Sequence, residues 1–99
     1  MALEYRLDIS AEIRAAARRI LSEAESYGFT REVEEAIDSL ETRMMTDPSR
    51  FGDPAYRLPF DNGMVYRDMQ DVVCVYYTID EEERAVRVRA IRRASFLGE

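Results

Sequence analysis

The run Val72–Ile79, VVCVYYTI, holds neither charge nor proline nor glycine, so both of its faces are apolar. A segment of that length with two apolar faces fits the centre of a sheet, not its edge. An acidic turn, Asp80–Glu83, follows. Beyond it the spacing predicts a strand over Arg84–Ile91, in which Val86, Val88 and Ala90 face one way and Arg87 and Arg89 the other. A period of two is what a sheet with one buried face imposes. One side of this strand is expected to meet a core and the other to present arginine, with Arg92 and Arg93 continuing just past the strand end.

The rest of the chain supplies what covers such a sheet. Leu3, Tyr5, Leu7 and Ile9 alternate with charged residues, predicting a first strand over residues 2–9. Ser10 is placed to cap a helix over residues 11–27, which Gly28 ends. Thr30 caps a second helix, carrying the stripe Val33, Ile37, Leu40 and Met44 and running to about Met45. Only Gly28 and Phe29 separate the two, so they must fold back as an antiparallel hairpin. All three prolines fall in Thr46–Gly63, which reads as a long loop pinned to the core edge by Phe51, Tyr56, Leu58 and Phe60. Met64–Met69 is a short strand, turned by Gln70 and Asp71 into the central run. The expected order is β-α-α-β-β-β: an α+β two-layer domain over residues 1–99, with a helical hairpin packed on one face of a mostly antiparallel sheet.

Composition removes many functions. The 99 residues carry a net charge of −6 and contain no lysine, histidine or tryptophan. That excludes lysine Schiff-base chemistry, the P-loop lysine, histidine-dependent triads and nearly every zinc site. No cofactor motif and no metal-ligand spacing is present. Cys74 is the only cysteine and sits within the apolar run, where it reads as core filling. No leader and no stretch of ~18 apolar residues is visible, so no membrane insertion is expected and the cytoplasm is the default location.

Five arginines within residues 84–93 form a cationic patch on an acidic protein. With Arg67 from the preceding hairpin, Arg87 and Arg89 suit bidentate pairing to phosphate or carboxylate. The other reading is a solvated face balanced by the Asp80–Glu83 turn and by Asp68. The carboxylates of the second helix and of the acidic turn lie near arginines, as Arg31 does near Glu35, and read as solvated ion pairs. Of Tyr76 and Tyr77 at least one must be interior, and Tyr66 is expected to pack at the core rim or to stack on a base.

The element order, the phrase VYYTIDEEERAVRVRAIRR and the preceding YRLPFDNGMVYR resemble the RelE/ParE superfamily, the plasmid-stabilisation type toxins of bacterial type II toxin–antitoxin systems. The resemblance spans nearly the whole chain. It implies a curved sheet under a helical hairpin and a cognate antitoxin as partner. It also implies a target that is either mRNA on the ribosome, cut by an endoribonuclease, or DNA gyrase. By position it carries a catalytic role onto Arg67 and Arg93, with Arg57, Arg87, Arg89 and Arg92 as phosphate- or partner-binding residues. Cys74 stands where the family often has arginine, and Phe96 where it has tyrosine. A fold retained as a non-catalytic interaction module is the alternative, and an exposed edge strand would permit a homodimer.

Overall fold

The computed structural model describes residues 4–59 and 63–94. Its elements are β1 (Arg6–Asp8), α1 (Ala11–Tyr27), α2 (Thr30–Thr46), α3 (Pro48–Phe51), β2 (Asp53–Arg57), β3 (Met64–Gln70), β4 (Val73–Asp80) and β5 (Ala85–Arg93). The strands form one sheet in the order β1-β5-β4-β3-β2, antiparallel throughout except for the parallel pairing of β1 with β5. The uncharged run is therefore the middle strand. The α+β architecture with its helical hairpin is the one the sequence predicts.

α1 begins and ends where local chemistry dictates, whereas the expected Thr30 cap does not form: Thr30 is the first residue of α2, Phe29 stands at the N-cap, and no side chain caps that end. Ser10 Oγ accepts from the Ile13 N–H at 3.2 Å. Gly28 takes φ 77°, and the N–H groups of Gly28 and Phe29 close on the Glu25 and Ala24 carbonyls. That left-handed cap costs glycine nothing and turns the chain straight into α2. Ile20 and Ala24 of α1 and Val33, Ala36, Leu40 and Met44 of α2 then meet Val73, Val75, Tyr77, Val86 and Val88 of the sheet in a single core.

Thr46–Gly63 is not the expected loop. It opens with the short helix α3, and β2 follows as a fifth strand at the sheet edge. Pro54 and a bulge between Pro54 and Tyr56 hid this strand from the sequence, and both are devices that edge strands use against further pairing. Nor do Phe51 and Tyr56 pin the segment, since they are 45% and 53% exposed. The anchor is Tyr77, fully buried, whose hydroxyl donates to the Pro48 carbonyl at 2.6 Å. Leu3, Phe60 and Phe96 lie outside the described residues.

β5 also starts and ends differently. Arg84 has φ 51° and belongs to the turn, held by its guanidinium 4.2 Å over the Tyr5 ring and 3.3 Å from Glu81. At the other end Cys74 pairs with Arg92 and Val73 with Arg93, so the strand includes both arginines.

Candidate functional site

Register decides which arginines share a surface. Val75, Tyr77 and Ile79 of β4 face the helices, so Cys74, Tyr76 and Thr78 face away, and the residues paired with them do the same. This puts Arg67 on the outer face opposite Tyr76, and Arg87 opposite Thr78.

A bulge in β5 changes the rest. Tyr76 pairs with Ala90 but Tyr77 pairs with Val88, leaving Arg89 as the extra residue. An extra residue shifts the side-chain alternation by one. Ala90, expected beside Val86 and Val88, turns to the outer face, and Ile91 takes its place under the helices. Arg92 joins the outer face, where its guanidinium lies 5.9 Å from the Tyr76 ring centroid. Arg93 turns inward, and its Nε donates to Glu23 of α1 at 3.0 Å. The two residues singled out as catalytic, Arg67 and Arg93, thus stand on opposite faces of the sheet. Arg57 ends the edge strand, paired in register with Met64 and alternating with the outward Tyr56, and so falls outside the outer-face group.

The outer face therefore gathers Arg67, Arg87, Arg89 and Arg92. Arg89 Nε donates to Thr78 Oγ1 at 3.2 Å. Arg87 lies 3.8 Å from Asp8 and 3.9 Å from Asp80, contacts too long to be strong. Asp8 is already committed elsewhere: Arg6 donates to it at 3.0 Å, and that hydrogen bond holds its carboxyl below the usual range. Arg67 is exposed and makes no hydrogen bond or ion pair among the described residues. It borders a cleft of about 400 Å³ with Asp53, Pro54, Ala55, Tyr56 and Tyr76. Four guanidinium groups with two tyrosines between them can hold anions and stack planar groups.

The tyrosines divide between the two faces, with Tyr66 packed at the core rim and Tyr77 interior, as expected. Tyr66 stacks on Tyr77 at 5.9 Å on the inner side, whereas Tyr76 is the aromatic among the arginines. The strict alternation of Tyr76 and Tyr77 was the available signal, once Tyr77 was known to be interior. Cys74 is 8% exposed but belongs to the outer face, paired with Met69 and Arg92 and apart from the core under the helices. Asp68, expected to balance the outer arginines, instead faces inward and pairs with Arg43 of α2 at 2.8 Å. Among the described residues no cluster of acids and cysteine could hold a metal ion. Nor, among them, is any helix long and apolar enough to cross a membrane.

No protein-family model and no curated protein matches the sequence. A chain of the toxin–antitoxin complex RelBE2 from Mycobacterium tuberculosis does match the structure, with a TM-score of 0.59 over 95% of each chain at 16% identity. The fold is RelE-like. At that identity the likeness concerns architecture: a helical hairpin on one face of a five-stranded sheet, and a second face left to other uses. The RelE-like sheet here presents Arg67, Arg87, Arg89 and Arg92 on the face opposite the helices, from β3 and β5 on either side of β4.

Proposed function

We propose that this chain is the toxin-type member of a toxin–antitoxin pair, restrained by a cognate antitoxin, and that its outer sheet face grips the phosphates of an RNA target. One observation carries the reading: a RelE-like fold over 95% of the chain, with Arg67, Arg87, Arg89 and Arg92 on the face opposite the helices. Arg67 is the residue assigned to the target phosphate, because its guanidinium is uncommitted and borders the Tyr56–Tyr76 cleft. Arg93, engaged by Glu23, is assigned a structural role. DNA gyrase is the alternative target and would be met as a protein surface.

A second reading, an interaction module that keeps the fold without the chemistry, is favoured by one feature. The half-shell of arginines surrounds Cys74 and Tyr76, and no histidine is available anywhere to move a proton. Induced expression in bacteria separates the readings. Wild-type protein is expected to arrest growth, Arg67→Ala/Arg89→Ala to relieve the arrest, and Arg93→Ala to retain it. Arrest that survives the double substitution removes the outer face from the mechanism. Absence of arrest in wild type supports the interaction module. Co-expression of a short neighbouring open reading frame should restore growth if it encodes the antitoxin.

A further inference from the structure

An apolar recess lies away from the arginine face, between the helical hairpin and the sheet. We infer that this recess binds a medium-chain aliphatic carboxylate, its tail among the core side chains and its head on Arg14 and Arg18. The recess has a volume of about 250 Å³. Its walls include Ile13 and Ala17 of α1, Ile37 and Leu40 of α2, and Val88 and Ile91 of β5. Ile91 is there because the β5 bulge turns it inward.

The shape and the wall chemistry select a hydrocarbon. An apolar cavity of ~150 Å³ stays dry and takes benzene, so this one accommodates roughly ten carbon atoms. A peptide strand would bring N–H and C=O groups into walls that offer them no partner, at a cost in free energy. An alkyl tail brings none.

The rim selects the head group. Arg14 and Arg18 are one helical turn apart, both line the recess, and neither side chain makes a hydrogen bond or ion pair among the described residues. Glu41 faces them from α2 and lies half-buried, with Asp38 near it on the same helix. Burial, and then Asp38, push the Glu41 carboxyl up, while Arg14 offsets part of that rise. Among the residues that line the recess, two guanidinium groups and one carboxylate leave a single net positive charge, which matches a monoanion better than a dianionic phosphate. A planar carboxylate also suits the bidentate fork of arginine.

The test does not depend on the toxin reading, because binding is measured on the purified chain whether or not it arrests growth. Decanoate, kept below its micelle concentration, is titrated while the methyl resonances of Ile13, Ile37 and Ile91 are followed by NMR. Saturable shifts confined to these methyls are expected. Affinity should rise about fourfold per methylene from hexanoate to decanoate and level off beyond, as the recess fills. Arg14→Ala/Arg18→Ala should weaken decanoate roughly tenfold while leaving decanol unchanged, since one charge-assisted contact is lost. Glu41→Gln should tighten decanoate. Ala17→Leu, which fills the recess, should abolish binding of both. Absence of saturable shifts at these methyls overturns the site, and equal loss of decanol and decanoate in the arginine variant overturns the carboxylate head. Because Arg14 and Arg18 are exposed, that variant is expected to fold even where Ala17→Leu does not.

Discussion

Tyr77 joins three parts of the molecule through one side chain. Its ring lies in the core, stacks on Tyr66 at 5.9 Å, and its hydroxyl holds α3 through the Pro48 carbonyl. Gly52 passes so close that an added Cβ would overlap that hydroxyl. Glycine is needed there for space alone, since its φ of −89° is open to any residue. Tyr77→Phe should cost about 1–2 kcal/mol, the worth of a buried hydrogen bond whose acceptor is left unpaired. Gly52→Ala should cost about 3 kcal/mol by overpacking, and part of that should return when Tyr77→Phe is added. Urea denaturation of the two single variants and the double variant checks both values. Alkali gives an independent reading of the same hydroxyl. Burial raises the Tyr77 phenol well above its ordinary value of 10.0. The unfolded chain therefore ionises first. Stability is complete below that ordinary value and falls as pH rises through it, by up to about 1.4 kcal/mol per pH unit, and the fall should be smaller in Tyr77→Phe.

Between elements, the firmest polar joint ties α2 to β3. Arg43 Nε donates to Asp68 at 2.8 Å, its Nη1 to Gln70 at 2.8 Å and to Ser39 at 3.2 Å, and Asp68 is 9% exposed. Removing one member leaves the other charge buried without its partner. Asp68→Leu or Arg43→Met alone should each cost about 3 kcal/mol, and the pair together clearly less than their sum. Additive losses in a double-mutant cycle would show that the joint contributes nothing. This joint also fixes the strand that carries Arg67: with Asp68 drawn inward, its neighbour must point out.

Such joints were beyond reach of the sequence because they depend on which elements meet. What the sequence did carry was governed by local periodicity: the two amphipathic helices with the Ser10 and Gly28 caps of the first, the central run and the valine face of β5. It failed at the β5 bulge, where one extra residue exchanges Arg92 for Arg93 on the outer face. The spacing of Val86, Val88 and Ile91, two and then three, was the trace of that bulge. It failed also at β2, since Pro54 and the Asp47–Phe51 turn resemble loop chemistry, and pairing with β3 overrides it. Arg84 looked like strand because a left-handed arginine leaves no mark on hydropathy.

At the scale of the molecule, two layers account for how an acidic chain can present a cationic surface. The extents are 41 × 34 × 24 Å, and the short axis is that of one helical layer on one sheet. Many of the acids are spent on the helices, as with Glu32, Glu34 and Glu35, while among the described residues no second layer covers the outer-face arginines. Net charge of −6 then describes the whole and not the working face. The consequence can be measured as a salt dependence. Each phosphate neutralised on a single strand contributes about −0.7 to the slope of log affinity against log salt concentration. With Arg67, Arg87, Arg89 and Arg92 engaged, a single-stranded RNA oligonucleotide should give a slope of about −3, and Arg67→Ala should reduce its magnitude by about 0.7. Arg93→Ala should leave the slope unchanged, because its guanidinium lies with Glu23 on the other side of the sheet. It should instead lower stability by no more than about 1 kcal/mol, since that pair is partly solvated. Fluorescence anisotropy at four salt concentrations distinguishes these outcomes. A slope near zero would point to a protein target, for which shape complementarity and not counterion release would set the affinity.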